Sequence, residues 1–277
     1  MSQETLIMAV AQTSAQPGDV RANAAAAAAL VSAAGAAGAK LLLFPELSLT
    51  GYDLDLFDTP AARATDDDPG VWVTEDDPRL DVVRRAARDH GVTTVLGAAC
   101  RRADGTPWIA SLALRPDGTV HTYGKRHLHG RERDLFRPGD QDGLLDVDGW
   151  QVALAICYDA GVPAHAERAA RSGAEVYAGS VLYTLEEARR LDLHFGARAM
   201  DHRMYAIAAN HAGTGPGWVS CGGSGAWHPD GTRLTQATAL PGLFTATLSR
   251  ADLHTLRAKD TRAGYPRPSS QDTAVRA

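Results

Sequence analysis

The segment ALAICYDAGVPAHAERAARSGAEVY, residues 153–177, decides the fold class, because it contains a strand, a helix and a strand in succession. An apolar run ends at Cys157, residues 162–172 have a helical composition that ends before Gly173, and a second apolar run begins at residue 174. Buried strands that alternate with helices are typical of an α/β fold. Cys157 stands at the end of the first strand, directly before a turn.

The same alternation continues in both directions along the chain. Asp19 is placed to cap an alanine-rich helix, and two Pro-Asp-Gly turns, at 116–118 and 229–231, predict hairpins. Strands are predicted at 5–11, 40–47 (ending at Glu46), 92–99, 151–157, 174–182, 204–210 and 242–248, and further helices at 78–90, 185–203 and 250–259. This order predicts a mixed sheet covered by helices, in one domain over residues 1–260. The polar, proline-bearing tail, 261–277, is predicted to be disordered or to contact a neighbouring subunit.

The composition narrows the class of partner. The chain has 277 residues, a net charge of −5 and a pI near 6.0, which argue against nucleic acid or an anionic membrane as its partner. Three cysteines are too few for a disulfide framework and favour a reducing compartment. The alanine tract at 23–39 is too weakly apolar for a membrane span, and the N-terminus lacks the basic residues of a signal peptide. We therefore expect a cytoplasmic protein.

Three reactive side chains follow predicted strands. Glu46 comes after an apolar run and a proline, Lys125 lies in a dense polar segment, and Cys157 ends a buried run. Each has an ordinary alternative: a capping or ion-paired glutamate, a lysine in a solvated loop, and a cysteine that packs as a small hydrophobe. Considered together, they supply what a cysteine needs to cleave an amide: a base that later acts as the acid, and a donor for the oxyanion.

Three blocks carry a family resemblance: FPELSLTGYD (44–53), KRHLHGRERDLFRPGD (125–140) and ICYDAGVP with RSGAEV (156–176). They resemble the signature blocks of the nitrilase superfamily, the carbon–nitrogen hydrolases, which carry a glutamate, a lysine and a cysteine in that order. RAMDHRMYAIAANHAG (198–213) and GGSGAWHPDG (222–231) also match, so that the resemblance extends from about residue 5 to 248.

The resemblance implies roles for particular residues. Cys157 would be the nucleophile, Glu46 the general base and then acid, and Lys125 the oxyanion donor, assisted by the backbone N–H of Tyr158. A second family glutamate falls on Glu132, where it would hold Lys125. Tyr52 and Ser180 are expected to line the substrate pocket, whereas Asp159 is expected to be structural.

The family also implies an architecture and an assembly. The fold would be a four-layer α-β-β-α sandwich that forms a homodimer, with the helix after Cys157 and the C-terminal tail at the interface. No cofactor and no metal are implied.

Other residues have weaker functional signals. His127 and His129 alternate, so they would share a strand face, but no third metal ligand has suitable spacing. GTGPG (213–217) is glycine-rich, yet no helix follows it to bind a phosphate, which favours a loop. The remaining cysteines, Cys100 and Cys221, are expected to be passive. Trp218 and Trp227 could line a pocket, although core packing is the default for each.

The branch of the family follows from the residues around Cys157. Tyr158-Asp159 favours amides over nitriles, because true nitrilases usually have Trp-Glu there. Ala160 and Gly161 occupy the place where carbamoyl amino acid hydrolases often carry an arginine, which favours a small or neutral acyl group. The predicted function is hydrolysis of a small non-peptide amide to ammonia and a carboxylic acid through a thioester. The alternatives are an N-carbamoyl amine or amino acid hydrolase, then a nitrilase, a cysteine redox sensor and a catalytically silent binding protein.

Overall fold

The computed structural model describes residues 4–58 and 70–262, which contain two six-stranded mixed sheets. The strands of the first sheet are β1 (Thr5–Gln12), β2 (Leu41–Leu43), β3 (Thr93–Arg101), β4 (Pro107–Leu114), β5 (Val120–Gly124) and β14 (Gly242–Ser249). Their order across the sheet is β14-β1-β2-β3-β4-β5, in which β1, β2 and β3 are parallel and the other pairs are antiparallel.

The second sheet repeats this arrangement. Its strands are β6 (Leu144–Val147), β7 (Trp150–Ile156), β8 (Val176–Val181), β9 (Tyr205–Asn210), β12 (Gly225–Trp227) and β13 (Arg233–Gln236). The order is β13-β12-β9-β8-β7-β6, with β7, β8 and β9 parallel. A separate two-stranded ribbon consists of β10 (Thr214–Gly215) and β11 (Trp218–Val219).

The helices are α1 (Val20–Ala36), α2 (Asp81–His90), α3 (Glu132–Leu135), α4 (Tyr158–Gly161), α5 (Pro163–Arg171), α6 (Ala188–His202) and α7 (Arg250–Arg262), with 3-10 turns at Leu54–Asp58, Pro78–Leu80 and Leu185–Glu187. Helices α1 and α2 cover the outer face of the first sheet, and α5 and α6 cover that of the second. The predicted cap of α1 is present, since the Asp19 side chain accepts a hydrogen bond from the Ala22 N–H at 2.9 Å.

The alternation of side chains along the strands produces the layers. In β1, Met8 and Val10 point into a core that they share with Leu154 and Ile156 of the second sheet. Ala9 points the other way, into a second core beneath α1 and α2, while a third core lies beneath α5 and α6. The order of layers is therefore α-β-β-α, and the predicted four-layer sandwich is confirmed.

Most predicted elements are present, with four corrections. The strand predicted to end at Glu46 ends at Leu43, because residues 46–50 turn back against β3. β6 was not predicted, and the ribbon of β10 and β11 occupies the stretch predicted as a loop. α7 continues to Arg262, while residues 263–277 of the predicted tail lie outside the described residues. Among the described helices, none has the length and apolarity that crossing a membrane requires.

Candidate active site

Glu46 is held in a tight turn between β2 and β3. The Leu49 N–H donates to the Gly97 carbonyl at 2.8 Å, and the Gly97 N–H donates to Ser48 Oγ at 3.0 Å. Leu47, directly after Glu46, has a φ of 52°, which is uncommon for a residue with a side chain. Local hydrogen bonds and an unfavourable backbone conformation therefore place the Glu46 carboxyl inside the protein, where it is fully buried.

Cys157 follows β7 directly and also has an unusual backbone, with φ 45° and ψ −100°. Its N–H donates to the Ser180 carbonyl at 3.0 Å, and its thiol lies 3.4 Å from the Leu182 carbonyl oxygen. Helix α4 begins at the next residue. Because the first N–H groups of a helix have no partner within it, the Tyr158 N–H is available to an oxygen atom placed beside Cys157.

Lys125 follows β5 and is completely buried. Its Nζ donates to Glu46 Oε1 at 2.7 Å and to Glu132 Oε1 at 2.8 Å. An ammonium group has three N–H donors, so these two bonds leave one donor for another acceptor.

Glu132, the first residue of α3, accepts hydrogen bonds from three directions. Besides Lys125, the Tyr52 hydroxyl donates to Oε1 at 2.8 Å and the His129 N–H donates to Oε2 at 2.8 Å. Each of its two oxygens thus accepts at least one hydrogen bond. By contrast, Oε2 of Glu46 has no hydrogen-bonded nitrogen or oxygen among the described residues, which leaves it able to accept a proton.

The electrostatics of this cluster favour a protonated thiol next to a titrating carboxyl. Burial raises the pKa of Glu46 to about 7, although Lys125 opposes the shift. Burial and the charge of Glu46 hold the pKa of the Cys157 thiol well above its ordinary value. Burial favours a neutral Lys125 amine, but the charges of Glu46, Cys157 and Glu132 outweigh it and raise the lysine pKa. The resting thiol is therefore not a preformed thiolate.

The structure brings together all four side chains that the sequence analysis named, with Tyr52 and the N-terminus of α4 beside them. Ser180 contributes its carbonyl to Cys157, while its own Oγ is buried without a hydrogen-bond partner in the described part of the chain. Trp227 packs in the core against Phe195, as expected. Trp218 does not join a core: it is half-buried and its indole N–H donates to the Tyr52 carbonyl at 3.0 Å.

The prediction that His127 and His129 share a strand face is wrong. Both lie in the loop after β5, since the chain leaves the sheet at Gly124. His127 Nδ1 contacts Asp159 Oδ1 at 2.8 Å, whereas the His129 ring packs near the Tyr158 ring. Within residues 4–58 and 70–262, no group of three or more His, Cys, Asp or Glu side chains is placed to hold a metal ion.

One residue at the site was missed by the sequence analysis. His211 is buried after β9, and its Nε2 contacts the Glu46 carbonyl oxygen at 2.6 Å. Burial lowers the pKa of His211 to about 4, so the ring is neutral at physiological pH and supports the Glu46 turn as a hydrogen-bond donor. The signal that could have found it is its place in the family-like block at 198–213, directly after the predicted strand 204–210.

Comparison with known proteins gives a consistent result. A family model described as carbon–nitrogen hydrolase matches residues 7–258. An (R)-stereoselective amidase from Pseudomonas sp. is 32% identical over 200 residues, which cover 71% of this chain and 68% of the relative. Deaminated glutathione amidase from Escherichia coli O157:H7 is 28% identical over 221 residues, covering 75% of this chain and 82% of the relative.

A solved structure is similar over nearly the whole chain. It is a double mutant of the amidase from Nesterenkonia sp. AN1 in complex with acrylamide, with a TM-score of 0.78 and 27% identity, covering 95% of this chain and 98% of that one. Another mutant of the same amidase, in complex with butyramide, has a TM-score of 0.76 at 27% identity and covers 93% of this chain and 96% of that one.

Proposed function

This chain belongs to the carbon–nitrogen hydrolase family, and from that premise we propose that it hydrolyses small neutral amides through a thioester on Cys157. It is an amidase-like hydrolase that acts on carbon–nitrogen bonds other than peptide bonds. The proposal concerns the residues, the intermediate and the substrate. The observation that carries it is the buried Lys125, which lies between Glu46 and Glu132 and retains one free donor next to Cys157.

In the first half of the reaction, Glu46 takes the thiol proton while Cys157 Sγ forms a bond to the amide carbon. The carbonyl oxygen becomes an oxyanion, which accepts hydrogen bonds from the third Lys125 N–H and from the Tyr158 N–H. Glu46 then gives the proton to the amide nitrogen, the carbon–nitrogen bond breaks, and ammonia leaves a thioester behind. Such oxyanion donors contribute roughly 2.7–4 kcal/mol each.

In the second half, Glu46 takes a proton from water, which attacks the thioester carbon. The carbon–sulfur bond breaks, the carboxylic acid leaves, and the thiolate recovers its proton from Glu46. A carboxyl with a pKa of about 7 suits both directions of proton transfer at neutral pH. Glu132 keeps Lys125 in place throughout, because it also accepts from Tyr52 and His129.

The preference for a neutral acyl group is supported by the residues that follow Cys157. Ala160 and Gly161 carry no cation that could hold a substrate carboxylate. Acrylamide and butyramide, which mutants of the Nesterenkonia amidase bind, are neutral amides of the proposed size.

The test is ammonia release from a panel of short aliphatic amides, ω-amides of dicarboxylic acids, N-carbamoyl amines and nitriles. We expect release from the aliphatic amides, a mass increase of one acyl group on Cys157 during turnover, and no release by Cys157→Ala. Ammonia release from N-carbamoyl compounds alone would show that these compounds, and not small amides, are the substrates. If no compound of the panel releases ammonia and Cys157 reacts selectively with peroxide, a redox sensor is favoured.

We further propose a homodimer located in the cytoplasm. Cys100, Cys157 and Cys221 are all free, which suits a reducing compartment. On α6, Leu193 and Met200 are seven residues apart, so they share a helix face, and they are 55% and 46% exposed. A second copy would cover this apolar strip. Light scattering that gives the mass of one chain would contradict the dimer.

A further inference from the structure

Asp159 is a fully buried carboxylate that accepts four hydrogen bonds. Oδ1 accepts from the His127 N–H at 2.9 Å and from His127 Nδ1 at 2.8 Å. Oδ2 accepts from the Ile156 N–H at 3.0 Å and from the Tyr123 hydroxyl at 2.8 Å. The His165 ring, 3.8 Å from Oδ2, contacts the same tyrosine hydroxyl.

The partners of Asp159 surround two residues of the proposed reaction. Tyr123 and His127 lie two residues before and two residues after Lys125, and Ile156 immediately precedes Cys157. Asp159 itself follows Tyr158, whose N–H is the second proposed oxyanion donor. One carboxylate is therefore bonded to the lysine segment on both sides and to the cysteine turn.

This link matters because the lysine and the cysteine belong to different sheets. Lys125 follows β5 in the first sheet and Cys157 follows β7 in the second, and among the described residues the two sheets share no strand pairing beyond the isolated backbone bridge between Thr13 and His211. Their separation depends on contacts across the sandwich. Burial alone would raise the pKa of Asp159, but hydrogen bonds from His127, the Ile156 N–H and Tyr123 lower it. An ionised carboxylate can accept all four bonds.

We propose that Asp159 is a positioning residue that sets the distance between the two oxyanion donors and the Cys157 thiol. The inference rests on the proposed function, because it assigns Asp159 an effect on the oxyanion and not only on stability. Misplacement of reacting groups by about 1 Å costs about 10²-fold in rate. The loss of one link between the sheets should therefore slow the chemistry while leaving substrate binding nearly unchanged.

Asp159→Asn removes one link and preserves the shape. An amide accepts hydrogen bonds only at its oxygen, whereas the aspartate accepts from backbone N–H groups on both sides. In either amide orientation, the N–H of Ile156 or that of His127 loses its acceptor. The variant thus loses one of the two backbone links, either the one to the cysteine turn or the one to the lysine segment.

Glu175→Gln is the matched control. Glu175 is also buried, accepts from the Gln151 N–H of β7 at 3.1 Å, and pairs with Arg250 at 2.8 Å. Like Asp159→Asn, Glu175→Gln replaces a buried carboxylate that is bonded to β7, but at the end of β7 that is far from Cys157. Both variants should unfold at lower temperature than the wild type.

The experiment measures kcat and KM for the best amide of the panel, together with the inhibition constant of the corresponding aldehyde. An aldehyde adds the Cys157 thiol to its carbonyl carbon and places the resulting oxygen at the oxyanion donors, so its affinity reports their position. For Asp159→Asn we expect kcat at least about 10-fold lower, the aldehyde constant raised by a similar factor, and KM within about 2-fold. For Glu175→Gln all three values should stay within about 2-fold.

If Asp159→Asn and Glu175→Gln both fold and have the same kcat and the same aldehyde inhibition constant, the proposal is wrong. If Asp159→Asn does not fold, Tyr123→Phe replaces it, because it removes one donor to Oδ2 and leaves both backbone links. A lower kcat and weaker aldehyde inhibition at constant KM would support the proposal, and wild-type values would overturn it. An inactive wild-type protein would instead contradict the proposed function, so the two failures are distinguishable.

Discussion

Lys125 Nζ lies 2.7 Å from Glu46 Oε1, and both side chains are completely buried. Glu132 lies on the other side of the same ammonium group, at 2.8 Å. One cation is therefore shared by two carboxyl groups in a region that excludes water. Burial of the Glu46 carboxyl, together with the nearby charge of Glu132, raises the pKa of Glu46, although Lys125 opposes the shift.

The activity should depend on pH through Glu46. Its carboxyl must be ionised to accept the thiol proton, and its pKa is raised to about 7. We therefore expect kcat/KM to increase about tenfold per pH unit below 7 and to become level above it. The raised pKa values of Lys125 and Cys157 should keep the plateau level into the alkaline range.

The measurement is a pH–rate profile at substrate concentrations far below KM. Glu46→Gln should lose at least about 10²-fold in kcat, and its residual activity should lack the rise near neutral pH. If the rise persists in that variant, another group is responsible for it.

Lys125→Met should be both inactive and unstable. The substitution leaves Glu46 and Glu132 buried without their cation, which typically costs about 3–5 kcal/mol of unfolding free energy. It also removes an oxyanion donor, so kcat should decrease at least about 10²-fold. Urea unfolding and turnover measure the two effects.

The double variant Lys125→Met, Glu132→Gln separates stability from catalysis. Removing one of the two carboxylates should recover part of the lost unfolding free energy, while turnover stays absent. A double variant that is no more stable than Lys125→Met would show that charge burial is not the cause of the instability.

Tyr52→Phe should reduce turnover through Glu132. The hydroxyl donates to a buried carboxylate, and the loss of about 1.5 kcal/mol at the transition state corresponds to about tenfold in kcat. Tyr205→Phe is the control, because its hydroxyl donates to the Ser249 carbonyl at 2.9 Å, at the end of β9 far from His211. The measurement is steady-state kinetics. If kcat decreases by the same factor in both variants, Tyr52 has no specific role.

Gly97→Ala should displace the turn that carries Glu46. A Cβ atom at this position would lie 2.8 Å from the Glu46 carbonyl carbon, and it would also collide with backbone atoms of Pro45 and Leu47. We expect lower thermal stability and at least about 10-fold lower kcat.

Gly35→Ala is the control for Gly97→Ala, because it also introduces a steric clash but does so away from the active site. Its Cβ would lie 2.6 Å from His90 Cβ, between α1 and α2 and away from the site. That variant should lose stability but keep its turnover, and a normal kcat in Gly97→Ala would contradict the importance of the turn.

Much of the site could be predicted because reactive side chains at strand ends leave a local signal. Glu46 and Cys157 each follow a buried run, Lys125 follows the second strand of a predicted hairpin, and family blocks surround all three. The end of β2 was placed three residues late, at Glu46 instead of Leu43, since the turn is held by Ser48 and Gly97. Residue 97 is distant in the sequence, so no local pattern could show that contact.

The same limit explains the two histidines. The alternation of His127 and His129 predicts a shared strand face only if the strand continues past Gly124. It does not, because Asp159 binds the His127 backbone and draws the chain away from β4. Contacts between residues far apart in the sequence also placed His211 beneath Glu46, and periodicity carries no information about such pairs.

The backbone of Cys157 has an evolutionary consequence. With φ 45° and ψ −100°, this position suits glycine, and a residue with a side chain costs about 1–3 kcal/mol there. Stability alone would favour glycine at this position, so the cysteine is explained by the reaction that we propose for it. A descendant that no longer needed the reaction would gain stability by a single change to glycine, and would persist as a sturdier but inert relative.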